Sequence, residues 1–243
     1  MTSRTALITG GTSGIGLATA ALLHRGGYRV AVTGSTPESV GEARRKLPDD
    51  VLVRHADARS LAGTDRIVAE VRDRFGSLDL LFLNAGIMRA RPVGEYDEAT
   101  FDELIAVNFK GQFFTLQKAL PLLNDGASVV FTVGIGATRG IVAGSAAAAS
   151  RGALLALVPS LALELAPRRI RVNAVSPGAI ATGLLAKLGV PAEAQEQMAA
   201  RVPFGRLGTA EEVAEVVAFL GSPGAAYVTG ENLVVGGGAG LSA

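Results

Sequence analysis

Apolar positions along the chain fall into short β-branched runs set between longer segments of helical period. The short runs predict strands over 5–8, 29–33, 51–55, 78–83, 128–133, 171–175 and 232–235. The longer segments predict helices over 15–25, 37–47, 61–75, 97–123, 145–165 and 210–220. Strands that alternate with helices, and read as nearly continuous apolar runs, belong to a parallel sheet covered on both faces. The expectation is an α/β fold: a doubly wound parallel sheet of about seven strands with helices on each side. Residues 179–206 interrupt the alternation and predict a mobile lid over a pocket. Pro159 falls inside the fifth long helix and should bend or break it, because it removes one helical hydrogen bond.

Composition narrows the class. Hydrophobic residues make up 49% of the 243, enough for a sizeable core, and the formal net charge of +1 suggests neither a nucleic-acid nor an acidic-membrane partner. There is no cysteine, so disulfides, thiolate nucleophiles and cysteine metal sites are excluded, and a reducing cytoplasm is the expected setting. The two histidines, His24 and His55, lie far apart in sequence, so no His-rich metal cluster is expected. No signal peptide and no bilayer-spanning apolar run is read from the pattern. With no repeat or linker, residues 1–243 are read as one domain, with 179–206 as a substrate lid inside it.

The chain's chemistry is anchored by Thr9-Gly10-Gly11-Thr12-Ser13-Gly14-Ile15-Gly16, which joins the first strand to the first helix. A strand turning tightly into a helix leaves backbone N–H groups pointing outward at the positive end of the helix dipole, which forms an anion site. Glycines let a diphosphate approach the main chain with no Cβ in the way. The spacing resembles the T-G-x-x-x-G-I-G of the short-chain dehydrogenase/reductase family. Asp57-Ala58 after the third strand, Asn84-Ala85-Gly86 after the fourth, Asn108 in Val107-Asn108, and Ser176-Pro177-Gly178-Ala179-Ile180-Ala181-Thr182 are similar to further family motifs in order and spacing. So are Gly205-Arg206 and Tyr227-Val228-Thr229-Gly230. The resemblance covers nearly the whole chain. It implies a Rossmann-type fold, a nicotinamide dinucleotide cofactor, a small-molecule substrate and a homodimer or homotetramer.

By the same resemblance, Asp57 and Ala58 lie near the adenine, and Pro177, Gly178, Ile180 and Thr182 near the nicotinamide. An acidic residue ending the second strand would bind the ribose hydroxyls and select NAD. Here the segment reads Gly34-Ser35-Thr36. Ser35 and Thr36 would meet a 2′-phosphate without charge repulsion, so NADP(H) is favoured over NAD(H).

The family's catalytic asparagine, serine, tyrosine and lysine are where this chain departs. The Y-x-x-x-K frame reads Ala147-Ala148-Ala149-Ser150-Arg151, and the serine position after the fifth strand aligns with Gly134. Asn108 is retained; Gly134, Ala147 and Arg151 stand where serine, tyrosine and lysine are expected. Tyr28, Tyr96 and Tyr227 are the chain's tyrosines, and none is followed by lysine at the required spacing. A positioned acid contributes roughly 10²–10⁴ in rate, and a donor to the oxyanion about 10²–10³. Arginine stays protonated and cannot replace the acid, though it can bond a ribose or attract a carboxylate.

The sequence therefore leads to an atypical oxidoreductase. Its substrate would need little proton assistance, as with an iminium ion or an activated double bond. Two alternatives stay open: a redox-neutral enzyme of cyclisation, isomerisation or water loss, and an inactive or deliberately inactivated nucleotide-binding subunit. Leu184, Leu185, Leu188, Val190 and Met198 in the lid suggest a lipophilic substrate. Ser145 is expected to cap the fifth helix rather than act as a nucleophile.

Overall fold

A computed structural model describes residues 3–183, 185 and 188–241. Its sheet has seven parallel strands in the order β3-β2-β1-β4-β5-β6-β7. These are β1 (Thr5–Thr9), β2 (Arg29–Gly34), β3 (Leu52–His55), β4 (Leu78–Leu83), β5 (Leu123–Thr132), β6 (Arg171–Pro177) and β7 (Asn232–Val235). The helices are α1 (Gly14–Arg25), α2 (Pro37–Lys46), α3 (Leu61–Phe75), α4 (Glu98–Ile105), α5 (Gly111–Ala119), α6 (Gly136–Arg139), α7 (Ser145–Leu165), α8 (Ala192–Ala200) and α9 (Ala210–Gly221).

Alternate strand residues separate into two cores. Leu7, Leu81, Leu83, Val129, Phe131 and Val172 pack beneath α3, α5 and α7, where Val71, Leu116 and Leu154 meet them. Ala6, Ile8, Val32, Phe82, Val130 and Val175 face α1, α2 and α9 through Leu23, Val40 and Val217. The chain winds outward from β1 to β3, then returns to β4 and winds the other way. This leaves a crevice at the C-terminal ends of β1 and β4, where ligands of such sheets bind.

Three expectations change. The helix expected over 97–123 is broken. Residues Ala106–Lys110 form a π turn with Asn108 buried inside it, α5 then runs to Ala119, and Pro121 sits in a tight 3-10 turn that ends it. β5 consequently begins at Leu123, with a register shift between Leu78 and Leu80. Pro159 does not break α7: the helix is continuous, with Val158, Leu161 and Ala162 buried on either side of the exposed proline. Ser145 is the first helical residue rather than the cap; Gly144 takes that place, without a side-chain bond.

By length and composition the segment Ser145–Arg168 is apolar enough to cross a membrane, against the reading from apolar runs. In this fold Leu154, Val158 and Leu161 pack it against the sheet.

Over 179–206 the described residues include α8, and Ile180 forms a bridge to Gly208. Leu184 lies outside the described residues.

The start of α9 is pinned by a capping box. The Thr209 hydroxyl accepts the Glu212 N–H, and the Glu212 carboxylate accepts the Thr209 N–H at 2.8 Å while also pairing with Arg206. The Arg206 guanidinium first, and the Thr209 N–H second, hold the Glu212 carboxyl down at about 2. A carboxyl whose folded value is depressed stabilises above its unfolded value and loses that contribution as pH falls through the folded one. The contribution should be complete above about pH 4.5, the carboxyl's ordinary value, and disappear toward pH 2. Thr209→Ala should cost about 1 kcal/mol of stability by thermal melt at neutral pH.

Candidate functional site

The turn from β1 into α1 is pressed between β2 and the segment after β4. Gly10 and Gly14 take φ of +61° and +52°, left-handed values that suit glycine. A Cβ on Gly10 would lie 2.8 Å from the Ala85 Cα, and one on Gly11 2.6 Å from the Val32 Cβ. A Cβ on Gly16 would collide with the Gly10 carbonyl. Asn84 stitches the turn down: its Nδ2 donates to the Gly10 carbonyl at 3.0 Å, and its Oδ1 accepts from the Thr132 hydroxyl at 3.0 Å. Thr9 Oγ1 accepts the N–H groups of Asn84 and Ala85 at 3.0 and 3.1 Å.

At the helix N-terminus, Ser13 makes no side-chain cap and the first turn holds no acid. Four other helices are capped, by Thr36, Ser60, Asp97 and Thr209. The first N–H groups of α1 therefore stay available, Ile15 among them, beside glycines with no side chain. That geometry fits a diphosphate. Thr12 faces inward: its hydroxyl donates to Ser39 Oγ at 3.2 Å, which leaves its backbone for a ligand. Thr182 brings its methyl close to the turn, 3.5 Å from where a Gly14 Cβ would sit.

Toward the edge of the sheet, Ser35 and Thr36 follow β2 and are exposed. Thr36 Oγ1 accepts the Ser39 N–H as the α2 cap, so its hydroxyl is partly committed, which the sequence did not reveal. His55 pairs in register with Gly34, and its Nε2 lies 3.0 Å from the Ser35 carbonyl. Asp57 is not free either. Arg59 grips its carboxylate through Nε at 3.0 Å and Nη2 at 2.7 Å, and this hydrogen bonding holds the carboxyl below its ordinary range. The carbonyl of Ala58 abuts Gly111, where a Cβ would collide with it.

At the chemical end, the Asn108 amide is committed inward. Its Oδ1 accepts the Ile87 N–H at 2.8 Å, and its Nδ2 donates to the Ile87 carbonyl and to Ser150 Oγ, each at 3.0 Å. A π turn places this side chain by shifting one residue inward, as such turns commonly do at functional sites. Gly134 adopts φ +103°, a region L side chains rarely enter. Pro177 O accepts the Ile135 N–H at 3.0 Å, and it is the atom a Gly134 Cβ would approach, at 3.9 Å. Gly178 packs on Gly236, and Ile180 is buried against Gly208.

Ala147 is buried in a small cluster with Leu104 and Ala146, and Ile87, Met88 and Tyr96 pack against it. Sequence reading left Tyr96 out of the site. Its phenol donates to the Arg89 carbonyl at 2.8 Å and lies 3.4 Å from that of Ala143, a non-glycine residue at φ +59°.

Arg151 reaches from α7 to the end of β5 and the turn after β4. Its Nη1 donates to the Thr132 carbonyl, and its Nη2 fills the space where a Gly86 side chain would be. Burial alone pulls the guanidinium down to about 10, although part of the residue still reaches solvent. It remains a cation at neutral pH. It takes part in none of the ion pairs among the described residues.

A family model described as enoyl-(acyl carrier protein) reductase matches residues 10–240. The chain belongs to the short-chain dehydrogenase/reductase family. Relatives in this family include an oxidoreductase of Sarocladium schorii, 35% identical over 98% of this chain and 96% of its own. The levodione reductase of Leifsonia aquatica is 34% identical, covering 98% and 94%. A 3-oxoacyl-(acyl-carrier-protein) reductase of Staphylococcus aureus is 35% identical, covering 97% and 98%. Among solved short-chain dehydrogenase/reductase structures, levodione reductase superposes with a TM-score of 0.93 at 33% identity over all of both chains. A 3-ketoacyl-(acyl-carrier-protein) reductase from Brucella melitensis, complexed with NADH, gives 0.91 at 29% identity over 98% of both. The sheet expected from the sequence is the sheet of these relatives.

Proposed function

We propose that this chain is an NADP(H)-using reductase of a lipophilic small molecule that works without the family's side-chain acid. One observation carries the reading: the glycine turn and the uncapped α1 terminus form a diphosphate cradle, while Gly134 and Ala147 offer neither hydroxyl nor phenol. When bound, reduced nicotinamide supplies hydride. Gly10, Thr12, Ser13, Gly14, Ile15 and Gly16 would form the diphosphate cradle, while the Gly11 N–H is spent on the Thr33 carbonyl at 2.8 Å. Ser35 and Thr36 would flank the adenosine ribose, with Asp57 and Ala58 at the adenine. Asn84, Ala85 and Gly86 would floor the crevice, Arg151 would reach the nicotinamide ribose, and Pro177, Gly178, Ile180 and Thr182 would line the nicotinamide.

The retained Asn108 orients Ile87 and Ser150 rather than offering its amide to substrate. The substrate is then one whose carbon accepts hydride without a side-chain acid: an iminium ion, which becomes a neutral amine with no further proton, or an activated double bond, whose proton water or the substrate supplies. We read residues 1–243 as one catalytic unit with 179–206 as its lid, working in the cytoplasm. A homodimer or homotetramer is supported by the exposed Leu163 on α7 and Val234 on the edge strand.

Stopped-flow absorbance of bound NADPH, mixed with iminium and activated-alkene substrates, should show oxidation with at least one of them. Silence across both classes overturns the reading. Fluorescence titration should also find NADPH bound about tenfold or more tighter than NADH, a margin of about 1.4 kcal/mol, because no carboxylate ends β2.

A further inference from the structure

A cavity of about 260 Å³ opens at the foot of the sheet, opposite the glycine turn. It lies among the N-terminal ends of β1, β4, β5 and β6 and the last turn of α9. The length of β6 sets it about 20 Å from the nicotinamide end of the crevice.

Arg171, the first residue of β6, lines this cavity and is 8% exposed. Its Nη2 reaches the Ser222 carbonyl at 3.4 Å, long for such a bond. Its Nη1 is buried and has no partner among the described residues. Arg4 lines the same space, and its Nη1 donates to the Tyr28 hydroxyl at 3.1 Å. Neither guanidinium enters an ion pair among the described residues. Burial lowers the Arg171 guanidinium from its ordinary value; Tyr28 opposes this, and Arg4 adds to it. Capping the end of α9 would account for a cation here, but it leaves Nη1 unused and a second cation alongside.

Two carboxylates border the cavity and are already engaged. Asp79 accepts the Thr5 N–H and the Asn124 amide, each at 2.8 Å, and Asp125 accepts Arg168 Nε at 3.0 Å. Their charges would repel a second negative charge on a ligand, which limits it to one. Gly126, Pro223 and Ala226 add short, uncharged wall with room for a small carbon chain.

We propose that this cavity binds a small monocarboxylate, its two oxygens held by the forked donors of Arg171 and by Arg4. The inference goes beyond the reductase reading, since neither nucleotide nor hydride enters it. The anion would pair the buried guanidinium and tie the start of β6 to the end of α9, so its binding is read as a gain in stability.

The test uses the full-length protein with propionate as the probe. Isothermal titration gives its dissociation constant. At about ten times that constant, propionate should raise the melting temperature by about 3–6 °C over chloride at equal ionic strength. Propionamide, of the same shape but uncharged, should give no rise.

Arg171→Met should lose the propionate shift. Arg4→Met, at an exposed position that folding tolerates, should weaken propionate several-fold. Gly16→Ala, which disturbs the nucleotide turn at the other end of the sheet, should keep the whole shift. No shift in wild type, or an equal one with propionamide, overturns the proposal. So does a shift that survives undiminished in both arginine variants, since the anion then sits elsewhere.

Discussion

Replacing Gly16 with alanine should remove nucleotide binding. The new Cβ would collide with the Gly10 carbonyl and sit 2.7 Å from Asn84 Nδ2, both fixed parts of the folded turn. Neither can move alone, since Asn84 Nδ2 is the group that bonds Gly10 O, and its Oδ1 is held by Thr132. The turn would have to open. Overpacking of this kind costs about 1–3 kcal/mol of stability. Cofactor affinity should fall further, by about a hundredfold or more, because a loss near 3 kcal/mol in cradle geometry corresponds to that ratio. NADPH titration by fluorescence, beside a thermal melt, separates the two effects. Gly27→Ala is the control: Gly27 also has a positive φ, +84°, but nothing lies within 4 Å of its would-be Cβ. It should lose stability modestly and leave NADPH binding unchanged.

The second large effect tests the proposed loss of the family's proton donor. Ala147→Tyr with Arg151→Lys should raise reduction of a simple ketone by roughly 10²–10⁴ over wild type, the usual contribution of a positioned acid. The structure argues against adding serine at Gly134 by simple substitution. At φ +103° a side chain there is strained, by about 1–3 kcal/mol. The triple variant should therefore melt below the double variant and gain less than an oxyanion donor's usual factor. Steady-state kinetics on a ketone, with melts of both variants, checks each part. No gain in the double variant would mean that the buried cluster of Leu104, Ala146 and Ala147 has no room for a phenol.

How much of this was legible in the sequence depends on whether the cause was local. Strand runs were visible because a parallel sheet buries both faces, so β4 reads as an unbroken apolar segment apart from Asp79. The glycine turn was visible because each of its glycines has a steric reason, and steric reasons leave a spacing. The interruption of the fourth long helix was not, because the π turn is set by where Asn108 must bond, and those partners lie at Ile87 and Ser150. The break expected at Pro159 did not occur, for the opposite reason: burial on either side of it kept a helix that local propensity would have ended.

The partners of the hydroxyls and the carboxylate were not legible in the sequence. The Thr12 hydroxyl donates to Ser39, the Thr36 hydroxyl accepts the Ser39 N–H and can still donate its own proton, and Arg59 holds the Asp57 carboxylate. Ser145 lost its capping role to Gly144 because the left-handed Ala143 turns the chain one residue earlier. For Gly134 the letter was read as a deletion, whereas its backbone angle makes it a conformational requirement as well.

The Arg151 guanidinium, in no ion pair among the described residues, has a consequence outside the proposed reaction. A protein that keeps an unmatched positive charge in a poorly hydrated cleft is held below the stability its fold could reach. Any small anion shaped to the cleft relieves that tension and is reported as a rise in melting temperature. A compound saturating at a thousand times its dissociation constant adds about 4 kcal/mol to the folded state. A plain heat-denaturation screen of carboxylates and enolisable carbonyls would let the empty protein select its own ligands before any reaction is assayed.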